Sequence, residues 1–356
     1  MSNRATRLVI DTNKFLNNIS KIKKFVGDKE IMPVIKANGY GTHINKRLDI
    51  INTFNIVAVA CVDEAIELRN IGYKKEIFLL NQACSDELED IYKYNITIGL
   101  SEVTFIDKIT SPVTIHIELE TGMNRTGVKI DELEEFISKI KSNNNIKVEG
   151  VYTHLSSADN DNVYTMNQIN RFRDGLKIVR NHFNLKYIHC SASNGLLKYI
   201  NEFTNLVRPG IIMYGYESFP GSNKIIDVEP IAVLKTKITY LKDLDIGESV
   251  SYSRKFISKS NMKVATIPIG YADGFRRDNT NKGKVVINNT ICNVIGSVCM
   301  DSCMVDVTDL ENVSVGDEVY IFDNKNITLE DIANLYNTIN YEVLCTISDR
   351  VPRDFI

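Results

Sequence analysis

The chain has 356 residues, and its 42 lysines and arginines nearly balance its 45 aspartates and glutamates, which leaves a net charge of −3. This length fits one large domain or two ordinary ones. The slight acidic excess argues against a dedicated nucleic-acid binder, which usually carries a basic excess. A hydrophobic fraction of 44% excludes wholesale disorder.

Membrane spans, secretion signals and metal clusters are not predicted either. No apolar run reaches the ~18 residues of a membrane span, and the first ten residues lack the basic-then-apolar pattern of a signal peptide. The cysteines are scattered, without a C-x-x-C pair. This predicts reduced thiols, no structural zinc site and a cytoplasmic protein.

Short apolar runs alternate with amphipathic segments through the first two thirds of the chain. The runs are apolar throughout, as expected of parallel strands covered on both faces. Eight strand–helix units predict a (β/α)8 TIM barrel. The runner-up, a doubly wound open sheet, would need a GxGxxG fingerprint after its first strand, and none occurs there. The predicted strands are Ile31–Ala37, Val57–Cys61, Ile77–Asn81, Ile96–Leu100, Val113–Leu119, Val148–His154, Tyr187–Ala192 and Asn205–Pro209.

The pattern changes near Asp227, where strands with tight turns replace the alternation. We therefore predict a barrel domain over residues 1–226 and a mainly β C-terminal domain over residues 227–356. The extreme N-terminus could pair with the β domain. One helix is expected near Leu329–Tyr336. The predicted strands are Ile231–Leu241, Lys263–Ile269, Lys284–Ile287, Ile291–Val298, Cys303–Asp306 and Glu318–Phe322.

Residues capable of chemistry close several barrel strands, at the end where barrel active sites form. Lys36 ends strand one, where partial desolvation lowers the pKa of an amine and suits it to Schiff-base formation. Arg125 follows strand five and His154 ends strand six. Ser193 precedes Asn194-Gly195 in a possible phosphate cradle, and Arg208 ends strand eight. Each residue taken singly also fits a structural role.

Together, a lysine nucleophile, a phosphate cradle and cationic clamps indicate pyridoxal phosphate. The main competing chemistry is a Schiff-base aldolase, which would use the same lysine without a cofactor. An aldolase has no need for a second β domain.

Separate motifs along nearly the whole chain carry a resemblance to a known family. They are VIKANGYG at 34–41, ETGMNRTG at 120–127, VYTHLSSAD at 151–159, VRPGIIMYGY at 207–216, GESVSY at 247–252, PIGYADG at 268–274, VCMD at 298–301 and INYEVLC at 339–345, followed by RVPR at 350–353. The chain resembles the bacterial alanine racemases, which are fold-type III pyridoxal-phosphate enzymes. The resemblance extends to the catalytic domain of vancomycin-resistance serine/alanine racemases.

The resemblance implies a racemase with two bases on opposite faces of a small amino acid, alanine or serine. Lys36 would carry the cofactor and act as one base. Tyr252 would be the other, reaching the partner's site in a head-to-tail homodimer with shared active sites. Arg208 would face the pyridine nitrogen, oriented by His154. Because arginine can only donate, that nitrogen stays neutral, which disfavours side reactions such as transamination.

The remaining implied contacts divide between cofactor and substrate. The implied phosphate ligands are Tyr40, Ser193 and the backbone amides of Gly210 and Ile211. The implied substrate-binding residues are Arg125, Met300, Tyr271 and Asp349.

Two positions depart from the family pattern. Glu118 replaces a lysine that many members carry as a carbamate, so it could pair with Arg125 as a permanent anion. Asp349 replaces a tyrosine that restricts the substrate pocket, which leaves alanine and serine, and wall synthesis and antibiotic resistance, as open alternatives. Beside Arg350 and a phosphate, Asp349 would turn toward solvent or toward that arginine, or take up a proton. A decarboxylase of the same architecture and a non-enzymatic pyridoxal-phosphate carrier are the competing functions.

Overall fold

The computed structural model describes residues 3–217 and 225–356. These residues form two compact units, which we name the barrel unit and the β unit. The barrel unit holds Phe15–Gly39 and the described part of His43–Glu229. The β unit holds the described residues up to Lys14, Tyr40–Thr42 and Pro230–Ile356. The domain boundary that we placed after residue 226 stays a prediction.

Strand β1 (Arg7–Ile10) belongs to the β unit, and a ring of parallel strands follows in the barrel unit. Strands β3 to β8 form one parallel sheet in chain order, and β2 pairs with β9 in parallel. Single parallel bridges join Val34 to Ala58 and Ala192 to Arg208, which closes the ring. The predicted (β/α)8 barrel is therefore confirmed. Its strands are β2 (Glu30–Ile31), β3 (Ile56–Val59), β4 (Glu76–Leu79), β5 (Thr97–Leu100), β6 (Val113–Glu118), β7 (Ile146–Tyr152), β8 (Tyr187–His189) and β9 (Leu206–Val207).

The barrel strands form because their side chains are buried on both faces. Every residue of β3 and of β5 is buried, as expected where one face meets the barrel interior and the other meets helices. The helices before residue 230 are α1 (Thr12–Val26), α2 (Leu48–Ile51), α3 (Val62–Asn70), α4 (Leu88–Lys93), α5 (Val103–Ile106), α6 (Leu133–Lys141), α7 (Asn162–Arg180) and α8 (Ser193–Lys198), with 3-10 turns at Ile44–Lys46, Ser85–Glu87, Ile130–Glu132 and Ile211–Tyr214. None of the helices within the described ranges is long and apolar enough to cross a membrane.

The β unit is built on a nine-stranded sheet in the order β11-β14-β17-β16-β15-β18-β10-β1-β19. The hairpin between β15 and β16 turns at Asn288 and Asn289, whose φ values of 48° and 61° fit a type I′ turn. The strands are β10 (Ala232–Lys237), β11 (Tyr240–Leu244), β12 (Ser249–Val250), β13 (Phe256–Ile257), β14 (Met262–Ile267), β15 (Lys284–Ile287), β16 (Thr290–Ile295), β17 (Cys303–Asp306), β18 (Glu318–Phe322) and β19 (Arg353–Phe355). The helices are α9 (Leu329–Leu335) and α10 (Asn340–Cys345), with 3-10 turns at Tyr252–Arg254, Tyr271–Asp273 and Arg277–Asn279.

Two predicted strands differ from the structure, and one helix of the β unit is additional. Strand one was predicted to run to Ala37, but β2 ends at Ile31 and the backbone pairs again only at Val34. The predicted strand Ile231–Leu241 is two strands, because Ile238 donates to Asp317 and Thr239 donates to Thr266, on different neighbours. Helix α10 was not predicted.

Candidate active site

Lys36 opens a left-handed turn and does not end a strand. Ala37, Asn38 and Gly39 have φ values of 52°, 53° and 61°, a conformation that costs energy at a residue with a Cβ other than asparagine and is therefore notable at Ala37. The Glu64 carboxylate at the start of α3 accepts hydrogen bonds from the amides of Ala37 (2.5 Å) and Ala60 (2.8 Å). Glu64 therefore fixes the backbone that follows Lys36.

Arg208 is the largest side chain buried in the chain's described interior, with 1% of its surface exposed. It donates to His189 Nδ1 at 2.5 Å and to the Thr153 carbonyl at 2.8 Å, and His154 Nδ1 lies 3.4 Å from it. Its guanidinium carbon also lies 5.5 Å from the centre of the Tyr152 ring. Burial lowers the pKa of Arg208, but an arginine in a protein stays protonated. Arg208 is therefore a fixed cation held by neutral acceptors.

The contacts of Arg208 fix the proton positions of two buried histidines. Because Arg208 only donates, His189 accepts at Nδ1 and carries its hydrogen on Nε2, which lies 2.9 Å from His116 Nδ1. His116 then carries its hydrogen on Nε2. Burial, followed by the charge of Arg208, lowers the pKa of His116 to about 3 and that of His189 well below its usual value. Both rings are neutral at physiological pH.

His154 lies beside this chain of contacts. Burial, followed by the charges of Arg208, Arg125 and Lys36, lowers the pKa of His154 to about 3. It is thus a neutral neighbour of Arg208, but at 3.4 Å it lies farther from Arg208 than His189 does.

Two glycines make room for the aromatic groups around Arg208. A Cβ on Gly150 would lie 2.6 Å from the His116 ring, and one on Gly99 would lie 2.2 Å from the Tyr152 hydroxyl. The Tyr152 ring stacks on His189 with centroids 5.0 Å apart. These small residues let polar rings occupy the barrel interior.

Ser193, at the start of α8, is buried beside the chain that follows Arg208. Its Oγ accepts hydrogen bonds from the amides of Gly210 (3.0 Å) and Ile212 (3.4 Å). The hydroxyl hydrogen is left to donate to another acceptor. The structure thus places Ser193 beside the segment that begins at Gly210. The expected role of the Gly210 and Ile211 amides as phosphate ligands stays a prediction.

Arg125 is exposed on a loop that a carboxylate ties into a compact turn. Glu120 accepts hydrogen bonds from the amides of Gly122 and Asn124, the second at 2.7 Å. Gly122 and Asn124 have φ values of 142° and 52°. The hydrogen bonds of Glu120 therefore fix the conformation of the loop just before Arg125.

Glu118 is buried on β6 and does not contact Arg125 directly. Burial raises its pKa, against the effects of hydrogen bonds with Thr126 and Tyr152 and then the charge of Arg125. Among the described ion pairs, none joins Glu118 to Arg125, so the direct pair we expected is wrong. The charge of Arg125 lowers the pKa of Glu118 less than burial raises it, so the two side chains interact through charge without a direct ion pair.

In the β unit, Tyr252 and Met300 line one open cavity of about 370 Å³, together with Ser251 and Cys299. Ser251 has a φ of 64° and donates to the Ser297 carbonyl at 2.6 Å. Ser297 in turn donates to the Tyr252 carbonyl at 2.9 Å. The fixed backbone presents the Tyr252 ring outward, with 71% of its surface exposed.

Tyr271 lies next to the segment that carries Met300. The Tyr271 amide donates to the Cys299 carbonyl at 3.1 Å, and the Ala272 amide donates to the Met300 carbonyl at 3.0 Å. A Cβ on Gly270 would lie 2.3 Å from the Cys299 carbonyl, so this approach needs glycine. The β unit therefore brings Tyr252, Met300 and Tyr271 into one region.

Tyr40 and Asp349, both in the β unit, differ in exposure. Tyr40 is buried, its ring centre lies 6.0 Å from that of Tyr341, and burial raises its pKa. Asp349 is exposed, and its charge raises the pKa of Arg353 against the larger effect of burial. Of the alternatives we gave for Asp349, its exposure agrees with a side chain turned toward solvent, while Arg350 pairs with Asp301 at 2.7 Å.

The donors in the barrel fit pyridoxal phosphate. Lys36 supplies an amine for the aldehyde, Arg208 is a buried donor suited to a ring nitrogen, and Ser193 has a hydroxyl hydrogen to give to a phosphate oxygen. A barrel of parallel strands with these groups, joined to a β unit, defines the class of barrel-type pyridoxal-phosphate enzymes.

Comparisons with known proteins agree over the full length. The model for the alanine racemase N-terminal domain matches residues 10–218 and that for the C-terminal domain matches residues 231–355. Alanine racemase 2 of Caldanaerobacter subterraneus subsp. tengcongensis is 36% identical over 99% of this chain and 95% of its own. The solved alanine racemase of Clostridium difficile 630 has a TM-score of 0.94 at 31% identity, over 100% of this chain and 97% of its own. The alanine racemase of Bacillus anthracis with bound L-Ala-P has a TM-score of 0.94 at 29% identity, over 100% of this chain and 96% of its own.

The chain therefore belongs to the alanine racemase family. It is a pyridoxal-phosphate-dependent racemase, an isomerase, and the competing decarboxylase interpretation is not favoured by these relatives.

Sequence reasoning missed His189, His116 and Glu64. His189 and His116 lie inside predicted strands, and Glu64 lies in the amphipathic segment between two predicted strands, where a polar residue looks like part of the pattern. The glycines at 99 and 150, inside apolar strands, were an available indication that large side chains occupy the barrel interior.

Proposed function

We propose that the protein interconverts the L and D enantiomers of alanine with Lys36 and Tyr252 as the two bases. The observation that carries this proposal is Arg208, a buried cation whose contacts leave it donating only. When bound, pyridoxal phosphate supplies an electron sink for the α-carbon. A donor-only arginine keeps the ring nitrogen unprotonated, which restrains that sink and favours simple proton movement over side reactions.

The two bases divide the proton transfer between them. Lys36 Nζ takes or returns the α-proton on one face, and the Tyr252 hydroxyl does so on the other, so the substrate need not turn over. Arg125 holds the substrate carboxylate by a charge-assisted fork, assisted by the backbone near Met300. Tyr271 lines the entrance.

The cofactor is held by the groups named from the family pattern. Arg208, with His154 and His189 around it, meets the ring nitrogen, and Ser193, Tyr40 and the amide of Ile211 hold the phosphate. The Gly210 amide supports them by its hydrogen bond to Ser193. The buried hydroxyl of Tyr40 and the hydroxyl hydrogen of Ser193 support this assignment.

We further propose that the active form is a head-to-tail homodimer in which Tyr252 serves the partner's cofactor. In the single chain, 71% of Tyr252 and 52% of Met300 are exposed. Such exposure of groups assigned to catalysis and substrate binding is expected where a second protomer completes the site. A cytoplasmic location stays a prediction.

The test is chiral analysis of purified holoenzyme incubated with L-alanine or D-alanine. Because the enantiomers have equal free energy, kcat/KM must be equal in the two directions. Both reactions should approach a racemate without release of carbon dioxide. Carbon dioxide release would instead support the decarboxylase.

Solvent isotope exchange distinguishes the bases. Tyr252→Phe in deuterated water should still exchange the α-hydrogen of one enantiomer through Lys36 while inversion is lost. Exchange of both enantiomers at the wild-type rate would contradict the role of Tyr252.

We also propose serine as a second substrate, on the basis of Asp349. The segment around it is held by Arg353, which donates to the carbonyls of Ile347, Ser348 and Gly41, and by the ion pair of Arg350 with Asp301. Since this anchoring does not depend on residue 349, the space of a missing aromatic ring remains open to a hydroxymethyl group.

Serine should be racemised with kcat/KM within about tenfold of alanine, and Asp349→Tyr should shift the ratio toward alanine. Asp349→Ala is the matched control, because it keeps the space and removes the charge. A preference for alanine above about a hundredfold that Asp349→Tyr leaves unmoved would refute this second substrate.

A further inference from the structure

One face of helix α7 contacts two of the loops assigned to the active site. Tyr164 donates to the Gly122 carbonyl at 2.7 Å, Gln168 to Thr121 Oγ1 at 3.3 Å, and Arg171 to the Thr121 carbonyl at 3.1 Å. Residues at i, i+4 and i+7 share a helix face. Three successive turns of α7 thus hold the start of the loop that carries Arg125.

Gln168 also holds the loop that follows β7. Its Nε2 donates to the His154 carbonyl at 3.1 Å, and its Oε1 accepts from the amide (2.9 Å) and the hydroxyl (3.2 Å) of Ser156. With Thr121, these contacts use both donors and both acceptor positions of the amide. Gln168 is 1% exposed, so no water competes for these positions.

The contact at Thr121 reaches Arg125 through a stiff connection. Glu120 closes the intervening turn through the amides of Gly122 and Asn124. A Cβ on Gly122 would lie 2.6 Å from the Tyr164 hydroxyl, which shows how closely helix and loop approach. A shift at Thr121 therefore displaces the arginine.

We propose that Gln168 is a positioning residue that sets Arg125 relative to the His154 loop. The proposal rests on the proposed function, which gives Arg125 the substrate carboxylate. That carboxylate is present throughout the reaction. Loss of its contact with Arg125 therefore weakens binding of the substrate and of the transition state alike. Such a loss raises KM and leaves kcat nearly unchanged.

The test compares Gln168→Leu and Gln168→Glu with the wild-type holoenzyme. Leucine removes all four hydrogen bonds, and glutamate keeps the acceptors for Ser156 but lacks both donors. Each variant should raise KM for alanine about tenfold with kcat within about twofold. Asn167→Leu, on the exposed part of α7, is the control and should change neither. Gln168→Glu keeps the test decisive if the leucine variant does not fold.

A binding measurement separates positioning from general damage. Calorimetry with propionate should show a dissociation constant raised by the same factor as KM. Ethylamine, which lacks the carboxylate, should bind as to the wild type. A fall in kcat with unchanged KM, or equal weakening of both probes, would overturn the proposal.

A double-mutant cycle with Arg125→Met distinguishes failure of this inference from failure of the proposed function. If Gln168 acts through Arg125, the double variant should have the KM of Arg125→Met alone. Additive effects would overturn the role of Gln168. An unchanged KM in Arg125→Met would show that Arg125 does not bind the carboxylate, which would overturn both.

Discussion

The groups proposed for catalysis have opposite surroundings in the two units. In the barrel unit, Arg208 is 1% exposed and its partners are fixed by their own hydrogen bonds. In the β unit, Tyr252 is 71% exposed and lines an open cavity. The difference teaches that electrostatic groups can be preorganised inside one chain, whereas a base presented outward needs a second surface to exclude water from it.

The largest expected effect comes from Lys36, the only nucleophile assigned to the barrel. Lys36→Ala should abolish covalent attachment of the cofactor and lower racemisation by at least about 10³-fold, because both the attachment point and one base are lost. Borohydride reduction followed by peptide mapping should label Lys36 in the wild type. Label on another lysine would place the site elsewhere.

Subunit mixing tests the contrast between the units most directly. Lys36→Ala and Tyr252→Ala homodimers should each be inactive, and equal mixing should restore about one quarter of wild-type activity. Half of the dimers are then mixed, and each mixed dimer has one site with both bases intact. If mixing two folded, exchange-competent variants restores nothing, each site is built within one chain.

The buried histidines give a smaller effect, on stability. Their folded pKa values lie below the unfolded value of about 6.5, and for His116 the folded value is about 3. Between these pH values the unfolded chain binds more protons, so stability falls as the pH decreases from about 6.5 toward 3, with a slope up to about 1.4 kcal/mol per pH unit for each histidine.

His116→Gln should reduce that slope, because glutamine does not titrate and can still accept from His189. Urea unfolding at several pH values measures it. His182→Gln is the control, since His182 lies at the surface in contact with Glu134 and Lys141. Equal slopes in wild type and His116→Gln would show that His116 binds a proton as readily in the folded protein as in the unfolded chain.

The sequence predicted the barrel well because parallel strands buried on both faces have a simple pattern, as in β3 and β5. It predicted the left-handed turn after Lys36 poorly, because Ala37 and Tyr40 carry side chains that rarely adopt positive φ values. Nor could it pair His189 with Arg208 and His116, since those contacts exist only once the strands close into a ring. The sequence thus indicated candidate residues near strand ends, whose roles stay predictions, and it missed residues such as His189, whose contacts depend on the closed ring.

Substitution of Glu118 should have the smallest effect on activity. It tests the charge interaction between Glu118 and Arg125 directly. Since Glu118 forms no ion pair with Arg125 among the described residues and acts on it through charge, Glu118→Gln should raise KM about two- to threefold. Glutamine keeps the size of the side chain and its acceptor oxygen but removes the charge. Activity should not respond to bicarbonate, because no lysine stands at this position to be carbamylated.

The same substitution, Glu118→Gln, should raise the stability of the folded protein although it weakens substrate binding. Burial raises the folded pKa of Glu118, so its charged form is disfavoured in the folded state, and stability is lost as the pH rises above the unfolded value of about 4.3. Glu118→Gln removes that loss and should raise Tm at neutral pH, while at pH 4 the two proteins should differ little. Glu120→Gln is the matched control on the exposed loop, where the carboxylate holds two amides, and it should lower Tm. A tenfold loss of kcat/KM in Glu118→Gln would mean that Glu118 and Arg125 pair directly in the working enzyme.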